Sequence, residues 1–367
     1  MQRAKQGSVN IREVATRAAV STATVSRYLN GKNVRPAARQ RIMTAIGDLS
    51  YSPNRLARGL KTKKSKVLGV VIPDITNPFF PAVVQGIEDT ARAAGFSVML
   101  FNTAEDEDRL WECLEAVHAQ SCDGALVMLA PPGPRHAQRR QQLQKLTFPI
   151  VYVDRAPDFD ADMVVCDNVQ CSREAVRHLL RLGHVRIAAL APNHDVSVHR
   201  ERLEGYRRAL TDAGVPIVPA YEVRVTPTVS DGYSGASSLL SLPEMPSAIF
   251  VTSNRLTIGA MAAIESRGLR CPQDISILGW DNHDWQDVFH PRLTTMAQPA
   301  YLMGTRAAEL LIQRTTEDRP QPARQILLQS SLVVRESCGM YLPRHGAGSA
   351  DLDDPVAAPH PAGGRLR

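Results

Sequence analysis

The stretch "NIREVATRAAVSTATVSRYLNGKNV" (residues 10–34) has apolar residues spaced as in two short helices joined by a tight turn. Asn10 and Glu13 have the spacing of a capping box, so a helix is predicted to begin directly after Asn10. Ser21 is the predicted N-cap of the second helix. A third helix is predicted from Pro36, since proline suits the first helical turn. The N-terminal part is therefore predicted to be a small all-α domain.

The second predicted helix is rich in hydroxyl side chains, which are mediocre helix formers. Val25 and Leu29 are four residues apart and face inward, which leaves a short, polar outer face. That face consists of Thr22, Ala23, Ser26 and Arg27. Short hydroxyls let a helix approach phosphates and base edges closely, and an arginine can reach guanine. The pattern predicts a DNA-binding helix-turn-helix, with an ordinary solvated helix face as the alternative.

The net charge is distributed unevenly along the 367 residues of the chain. Residues 1–66 contain 15 Lys and Arg but two acidic residues, a net charge of +13. The remaining residues contain 28 Lys and Arg against 35 acidic residues, a net charge of −7. A basic N-terminal part joined to an acidic remainder indicates a polyanionic partner for the first part alone.

The basic segment "YSPNRLARGLKTKKSK" (residues 51–66) follows the predicted third helix. Pro53 can begin a short helix, in which Leu56 and Leu60 lie four residues apart among cations. From the residues alone two roles for Leu60 are open. It either docks on the rest of the protein or inserts into a DNA minor groove.

From Val67 onward, short apolar runs alternate with helix-like stretches. The first series is "VLGVVIP", "FSVMLF", "GALVMLA" and "IVYVD", and the second is "MVVC", "RIAALA", "YEVRV", "AIFVT" and "ISILGW". Strands that alternate with helices predict parallel sheets. Two series predict two lobes with a ligand-binding cleft at the carboxyl ends of the strands. The Ala-, Pro- and Gly-rich tail after Cys338 is predicted to be disordered.

Several classes of protein are disfavoured by motifs that the sequence lacks. No dinucleotide-binding, P-loop or nucleophile-elbow motif occurs, and the six cysteines lack zinc-ligand spacing. We therefore predict no catalytic residues, no metal and no cofactor. The polar N-terminus and the absence of long apolar runs predict a cytoplasmic protein without a membrane partner. A secreted ligand carrier is the remaining alternative, which the basic N-terminal part opposes.

Seven stretches, taken in their order and spacing, resemble the lactose repressor (LacI) family of bacterial transcription regulators. They are "VATRAAVSTATVSRYLNG", "YSPNRLARGLK", "GVVIPDITNPFF", "RLGHVRIAAL", "RERLEGY", "DISILGWDN" and "PRLTT". The resemblance implies an N-terminal all-α helix-turn-helix headpiece and a two-lobed α/β effector domain like periplasmic binding proteins, with two parallel doubly wound sheets. The implied domains are the headpiece (8–50), a hinge helix and linker (51–66), an effector-binding and dimerisation domain (67–338) and a disordered tail (339–367).

The resemblance also implies a repressor that binds double-stranded palindromic operator DNA as a homodimer, with a tetramer as an alternative assembly. The implied DNA-binding residues are Ser21, Thr22, Ala23, Thr24, Ser26, Arg27, Asn30, Tyr51, Asn54, Leu60 and Lys61. Among them Thr22, Ala23 and Arg27 would meet bases. Leu60 would wedge into the central minor groove, which decides between its two roles, and Lys61 would follow it.

A small-molecule effector, a sugar or sugar derivative, is implied to control DNA affinity. The implied effector-binding residues are Asn77, Phe79, Phe80, Asp154, Arg202, Ser253, Asp281 and Gln298. Core packing is the alternative for the two phenylalanines, and a cap of a helix or loop is the alternative for Asp154. For Arg202 the alternatives are a surface ion pair with a nearby glutamate, or Arg200 in its place.

Three positions depart from the family pattern. Ala19 stands in the turn where glycine or asparagine is usual, and the loop "GKNVRP" is one residue shorter than usual. At a strand end, Ser253 and Asn254 replace the common Asn-Asp and are followed by Arg255. This exchange predicts a hydroxylated effector with a carboxylate or phosphate held by an arginine fork, ahead of a neutral sugar. Trp280 and the two phenylalanines are predicted to offer it a flat apolar surface.

Overall fold

The computed structural model describes residues 9–29, 31–51, 64–288, 290–317 and 321–341. The predictions that fall outside the described residues are those for Asn30, Asn54, Leu60, Lys61, most of the hinge helix and the tail from residue 342.

The described residues form helices and strands that we number in chain order. The α-helices are α1 (Ile11–Arg17), α2 (Thr22–Leu29), α3 (Pro36–Asp48), α4 (Phe79–Ala93), α5 (Glu107–Ala119), α6 (His136–Leu143), α7 (Asn168–Arg181), α8 (Ser197–Asp212), α9 (Val229–Leu240), α10 (Asn254–Ser266) and α11 (Ala300–Thr316). The strands are β1 (Val67–Ile72), β2 (Ser97–Asn102), β3 (Gly124–Val127), β4 (Ile150–Val153), β5 (Met163–Cys166), β6 (Ile187–Pro192), β7 (Glu222–Val225), β8 (Ala248–Val251), β9 (Ser276–Trp280), β10 (Thr294–Ala297), β11 (Gln325–Leu328) and β12 (Ser331–Val333). Short 3-10 turns occupy Pro219–Tyr221 and Asp284–Asp287.

Helices α1 to α3 share one small apolar core. Val14, Val25 and Ile42, one from each helix, have no solvent exposure. The Asn10 side chain accepts the N–H groups of Arg12 and Glu13 at 2.9 and 3.2 Å, which confirms the predicted start of α1.

The turn between α1 and α2 contains the alanine that departs from the family pattern. Ala19 has a φ of 50°, in the left-handed region that disfavours residues with a Cβ. The next helix is capped by Ser21, whose Oγ accepts the N–H of Thr24 at 3.2 Å. The predicted cap at Ser21 is therefore present, and Ala19 adopts the conformation for which glycine or asparagine is usual.

The chain divides into two compact units. Unit 1 comprises the described residues up to Asp167 together with His194–Arg200 and Pro299–Gln329. Unit 2 comprises Asn168–Asn193, Glu201–Gln298 and the described residues from Ser330 onward.

Each unit contains a six-stranded sheet with helices around it. The order in unit 1 is β11-β5-β4-β3-β1-β2, and all neighbouring strands are parallel. The order in unit 2 is β12-β10-β9-β8-β6-β7, in which the edge strand β12 alone runs antiparallel to its neighbour. The predicted pair of parallel sheets is confirmed.

Two details of the predicted strand series were wrong. Strand β5, "MVVC", was placed in the second series but pairs with β4, Tyr152 lying opposite Met163, and so belongs to unit 1. The chain crosses to unit 2 only after β5, and an apolar run does not reveal where such a crossing occurs. Strands β10 to β12 were not predicted, because β10 begins with two threonines and no helix separates β11 from β12.

A pair of helices in each unit approaches closely through glycines. In unit 1, a Cβ on Gly86 of α4 would lie 2.1 Å from the Tyr301 carbonyl oxygen, and a Cβ on Gly304 of α11 would lie 2.0 Å from that of Val83. In unit 2, a Cβ on Gly259 of α10 would lie 2.2 Å from a carbonyl oxygen of α9. No larger residue fits these contacts without moving backbone.

The packed part of unit 2 continues past the predicted start of the tail. The Gly339 carbonyl oxygen lies 3.0 Å from His184 Nε2. The Tyr341 N–H donates to the Leu182 carbonyl at 2.8 Å, and its hydroxyl accepts from Arg186 at 3.0 Å. Residues 339 and 341, which lie beyond the predicted boundary after Cys338, therefore pack with unit 2. Among the described residues, no helix is long and apolar enough to cross a membrane.

Candidate nucleic-acid interface and effector site

Helix α2 presents a solvent-exposed face of short side chains and one arginine. Ser21, Thr22, Ala23 and Arg27 are exposed, whereas Val25 between them is fully buried. The residues predicted to meet bases thus share the open side of α2. A helix with such a face can approach base edges because no bulky side chain intervenes.

The residues predicted to hold phosphates are placed less openly. Thr24 and Ser26 are half-buried, and Thr24 Oγ1 lies 2.9 Å from the Oγ of its cap, Ser21. Tyr51 packs partly against the core of the helical domain, and its N–H donates to the Ile46 carbonyl at 3.0 Å. Thr24 and Tyr51 therefore contribute to the local fold as well as belonging to the predicted DNA-binding set.

The helical domain has too few acidic residues to offset its basic ones. Its two described carboxylates are both engaged, Glu13 with the amide of Asn10 at 2.6 Å and Asp48 with Arg17 at 2.7 Å. The exposed cations beyond Arg17 are Arg12, Arg27, Lys32, Arg35, Arg39 and Arg41. The domain thus carries a positive surface suited to phosphates.

Arg202 is the centre of a buried polar cluster in unit 2. Its side chain is 5% exposed and its guanidinium lies 4.1 Å from the ring centroid of Trp280. Nε donates to Asn168 Oδ1 at 3.0 Å, Nη1 to the Thr252 carbonyl at 2.9 Å and Nη2 to Gln298 Oε1 at 3.4 Å. This burial removes the alternative of a surface ion pair for Arg202.

Asp281 joins the same cluster through Gln298. The Gln298 amide donates to Asp281 Oδ1 at 2.7 Å, and the Asp281 N–H donates to the Met296 carbonyl at 2.9 Å. Asp281 has a φ of 66°, an uncommon conformation for a residue with a Cβ. Thr252, Asp281 and Gln298 directly follow three neighbouring parallel strands, β8, β9 and β10. The carboxyl end of this sheet therefore gathers the predicted effector residues of unit 2.

A second cluster lies at the carboxyl end of the sheet in unit 1. Asp154 follows β4 with a φ of 65° and is 5% exposed. The next residue, Arg155, donates to both oxygens of Glu105 at 2.6 and 2.7 Å and to the Leu129 carbonyl at 2.6 Å. Burial lowers the pKa of Arg155. Its hydrogen bonds to Glu105 and the charges of Glu105 and Asp154 more than offset this, so the net shift of the Arg155 pKa is upward.

The aromatic residues predicted to face the effector are buried. Phe79 and Phe80 are 6% and 3% exposed and belong to the core of unit 1, as in the core-packing alternative. The Phe80 ring nevertheless lies 6.0 Å from the Arg155 guanidinium, and so borders the cluster. Trp280 has no exposure, so it supports Arg202 and offers no surface of its own.

The remaining predicted residues lie at helix starts. Asn77 Oδ1 accepts the N–H of Phe79 at 3.1 Å, which shapes the start of α4. Ser253 is the N-cap residue of α10 and is half-buried. Arg200, the competitor of Arg202, has a side chain 57% exposed that pairs with Asp195 at 2.7 Å.

Three polar members of the clusters were missed from the sequence: Arg155, Glu105 and Asn168. The signal for Arg155 was its position directly after a buried strand that ends in a charged pair, "VYVDR". Glu105 and Asn168 gave no such signal, because each reaches its arginine from a distant part of the chain. Among the described residues, no group of three potential metal ligands is present.

Sequence profiles and curated relatives agree with this architecture. Residues 10–54 match the profile of bacterial regulatory proteins of the lacI family, and residues 176–338 match a periplasmic binding protein-like domain. The chain is 34% identical to catabolite control protein A of Priestia megaterium over 83% of this chain and 92% of that protein. It is also 34% identical to the ribose operon repressor of Escherichia coli K12, over 89% of this chain and 98% of that protein.

The chain belongs to the LacI family of bacterial regulatory proteins. This membership confirms the prediction of a DNA-binding transcriptional repressor rather than an enzyme. A solved structure of the lac repressor dimer, bound to operator and the anti-inducer ONPF, matches this LacI-family chain with a TM-score of 0.81 and 27% identity. That match covers 91% of this chain and all of the lac repressor chain.

Proposed function

We propose that this LacI-family protein is a cytoplasmic homodimeric repressor that binds a palindromic operator and responds to a small sugar. The observation that carries the proposal is the open face of α2, where Thr22, Ala23 and Arg27 lie exposed on a positively charged helical domain. Thr22, Ala23 and Arg27 read bases, and the surrounding hydroxyls and cations hold phosphates.

The test of operator binding begins with selection of bound duplexes from a pool of random DNA, since the operator is unidentified. The wild-type chain should select a two-fold symmetric sequence. Arg27→Ala should lower affinity for it by about 1–3 kcal/mol per half-site and relax specificity at one position. Arg17→Ala is the matched control, because it removes a cation of the same domain that is already paired with Asp48. Equal losses on every sequence in Arg27→Ala would reduce Arg27 to a phosphate contact.

The segment between the helical domain and β1 completes the proposed interface. We propose the domain boundaries given above, except that the effector-binding domain extends to residue 341, with residues 51–66 as hinge. Asn30 and Asn54 then bind phosphates, Leu60 inserts between base pairs in the central minor groove, and Lys61 follows the groove. Leu60→Ala should reduce DNA bending, measured by fluorescence energy transfer between labelled duplex ends. Unchanged bending and affinity would assign Leu60 a purely packing role.

Dimerisation is supported by an apolar surface of unit 2. Val229, Tyr233, Ile258 and Val288 are 42%, 41%, 40% and 76% exposed. Ile258 also lines an open cavity of 970 Å³ together with His290. Val229, Tyr233 and Ile258 lie on the closely packed helices α9 and α10, and exposed apolar side chains on neighbouring elements are typical of an interaction surface. We propose a second copy of this chain as the occupant, with a tetramer as the alternative assembly.

Sedimentation equilibrium measures the assembly directly. The wild-type chain should be dimeric, and Ile258→Glu should shift it toward monomer because a carboxylate would be buried without a partner. Val185→Glu is the control, since Val185 is also exposed in unit 2 (55%) but lies outside this surface. A dimer that persists in Ile258→Glu would place the interface elsewhere.

The charges of the two clusters favour a neutral effector. In unit 1, Glu105 and Asp154 stand against Arg155. In unit 2, Asp281 and Glu201, which accepts from Asn168 at 3.0 Å, stand against Arg202. Arg155 is already bound by both oxygens of Glu105, so it does not offer the open fork that a carboxylate or phosphate needs. Carboxylates accept sugar hydroxyls readily but repel an anion. We therefore propose a neutral sugar, bound through the cluster around Arg202 in unit 2, in place of the acidic ligand predicted from Arg255.

Calorimetry with a panel of neutral pentoses and hexoses, each beside its phosphate, tests this choice. A neutral sugar should bind and its phosphate should not, and Arg202→Ala should abolish binding. Arg200→Ala is the matched control, because it removes an exposed arginine two residues away. Trp280 fluorescence should change on binding, since Arg202 lies on its ring. Binding by sugar phosphates alone would restore the acidic effector.

The effector can act on DNA binding only through linkage. It changes operator affinity by the ratio of its affinities for two conformations of the repressor, typically ~1–3 kcal/mol of coupling. Titration of the operator complex with the sugar found by calorimetry should therefore change the operator Kd. The sugar Kd should change by the same factor when the operator is bound.

A further inference from the structure

Residues 64–66, where the chain enters unit 1 from the DNA-binding part, are held by one carboxylate. Asp123 precedes β3 and accepts three hydrogen bonds from two consecutive residues. Its Oδ1 accepts the Ser65 N–H at 2.7 Å and the Ser65 hydroxyl at 2.9 Å, and its Oδ2 accepts the Lys66 N–H at 3.1 Å. Hydrogen bonds to an ionised acceptor are stronger than those between neutral groups.

Further contacts fix the same three residues. The Lys66 carbonyl accepts the N–H of Ser97 at 2.8 Å, and the Lys66 ammonium lies 3.9 Å from the Phe96 ring centroid. Ser65 Oγ also accepts the N–H of Val67 at 3.2 Å. Lys66 has a φ of 58°, which disfavours a lysine unless its surroundings impose it. The backbone direction at this point is therefore specified by unit 1.

Lys64 binds a second element of unit 1. Its ammonium donates to the Thr315 carbonyl at 2.8 Å, in the last turn of α11, where a cation is favoured by the helix dipole. That end of α11 is itself anchored, because Arg314 donates to both oxygens of Asp162 at 2.7 Å. Helix α11 begins two residues after Gln298, a member of the effector cluster in unit 2.

We propose that Asp123 is a positioning residue for operator binding, because it fixes where and in which direction the DNA-binding segment leaves unit 1. This inference rests on the proposed function, in which two headpieces engage two half-sites at a set separation. A fixed exit point restricts the separations that the two headpieces can reach together. The gain from simultaneous engagement, roughly 10²- to 10⁴-fold, depends on that geometry.

The direction of the change in DNA affinity distinguishes this positioning role from a simple effect of the Asp123 charge. Removal of a carboxylate from a DNA-binding protein strengthens its attraction to phosphates. A variant that lacks Asp123 should therefore bind DNA more tightly if charge alone mattered. Weaker operator binding can then come only from lost positioning or from a damaged fold.

The experiment compares Asp123→Ala with Asp106→Ala in the full chain. Asp106 is an exposed carboxylate of unit 1 that accepts one backbone N–H, that of Arg109 at 2.8 Å, but touches no residue of the 64–66 segment. Both variants lose one negative charge, but Asp123→Ala loses three hydrogen bonds and Asp106→Ala loses one. Circular dichroism and urea unfolding show whether each variant is folded.

The decisive readout is tolerance of altered half-site spacing. The probes are the duplex that the wild-type chain selects from random DNA and the same duplex with one base pair inserted at its centre. The wild-type chain and Asp106→Ala should discriminate strongly between the two. Asp123→Ala should bind the selected duplex about tenfold more weakly, a part of the avidity gain, and should discriminate far less. Unchanged discrimination in a folded Asp123→Ala would overturn the inference.

Asp123→Asn keeps the inference testable if the alanine variant unfolds. The asparagine oxygen can still accept both Ser65 bonds, whereas the amide nitrogen cannot accept the Lys66 N–H. Asp123→Asn should therefore discriminate between the two duplexes to an intermediate degree. Discrimination equal to that of the wild type would contradict the proposed role of Asp123. If the proposed function itself is wrong, the wild-type chain will select no two-fold symmetric duplex, so the two failures are distinguishable.

Discussion

Units 1 and 2 use the same backbone arrangement to present an aspartate at the end of a central strand. Asp154 and Asp281 each directly follow a buried strand, and their φ angles are 65° and 66°. Each donates its N–H at 2.9 Å to a carbonyl of the next strand in the sheet, Val164 and Met296 respectively. The left-handed conformation costs about 1–3 kcal/mol for such a residue, and the strand partner holds it in place.

The two units differ in how the neighbouring arginine is compensated. In unit 1, Arg155 forms a bidentate ion pair with Glu105, whose side chain is 23% exposed. In unit 2, Arg202 lies on the ring of Trp280 and donates to neutral oxygens. The same strand-end arrangement thus accompanies a bidentate ion pair in unit 1 and, in unit 2, an arginine that lies on an aromatic ring and donates to three neutral oxygens. We infer that Arg155 acts mainly on stability and Arg202 mainly on effector recognition.

The largest expected effect is the loss of stability in Arg155→Met. This change leaves Glu105 partly buried without its cation, which typically costs about 3–5 kcal/mol. Urea unfolding followed by circular dichroism measures the free energy of unfolding. The double variant Arg155→Met with Glu105→Leu should recover part of the loss, because it removes the unpaired carboxylate. If Arg155→Met lowered the free energy of unfolding less than Arg202→Met does, the inferred difference between the two units would be wrong.

Substitutions at the close helix contacts should be equally severe in both units. Gly304→Ala in unit 1 and Gly259→Ala in unit 2 each place a Cβ within 2.2 Å of a backbone oxygen. Each should lower the free energy of unfolding by about 3 kcal/mol, the upper part of the usual range for overpacking. In Gly47→Ala, a change within α3 where nothing lies within 4 Å of the new Cβ, stability should instead rise by up to about 1 kcal/mol. Tolerance at Gly259 alone would show that the two helix pairs are not equivalent.

Arg202→Met should lower the free energy of unfolding less than Arg155→Met does, but it should impair sugar binding more. It leaves the Asn168, Thr252 and Gln298 oxygens without a donor, at about 1–3 kcal/mol for buried acceptors. Sugar binding should be lost, while operator affinity without sugar should stay within twofold or so of the wild type, well inside ~1 kcal/mol. Calorimetry and band-shift titration measure the two affinities. Retained sugar binding would move the effector contact away from Arg202.

The sequence predicted the elements better than it predicted the pairing of charges. The helical domain and nine of the strands were recognisable because each has its own local apolar period. Arg202 and Asp281 were located by resemblance to a family, and the structure brings them together through Gln298. The Arg155–Glu105 pair was missed because 50 residues separate its members, and no local spacing records a contact made by folding. Strand β5 was assigned to the wrong sheet for the same reason.

The smallest expected effect concerns acid sensitivity in unit 2. His184 is 2% exposed, with Nδ1 at 2.9 Å from Ser247 Oγ and Nε2 at 3.0 Å from the Gly339 carbonyl. Burial lowers the pKa of His184, so below the unfolded pKa of about 6.5 the unfolded chain binds a proton that the folded chain does not. The stabilisation is therefore complete above about pH 6.5 and declines as the pH falls toward the folded pKa.

His184→Gln should reduce the slope of unfolding free energy against pH between about pH 7 and pH 5, the window in which an unfolded histidine titrates. Glutamine can keep one hydrogen bond of the imidazole but does not titrate there. Burial also lowers the pKa of His178 and His194, so a residual slope should remain in the variant. A slope unchanged by His184→Gln would assign the acid sensitivity to other histidines, among which His178 and His194 have lowered pKa values.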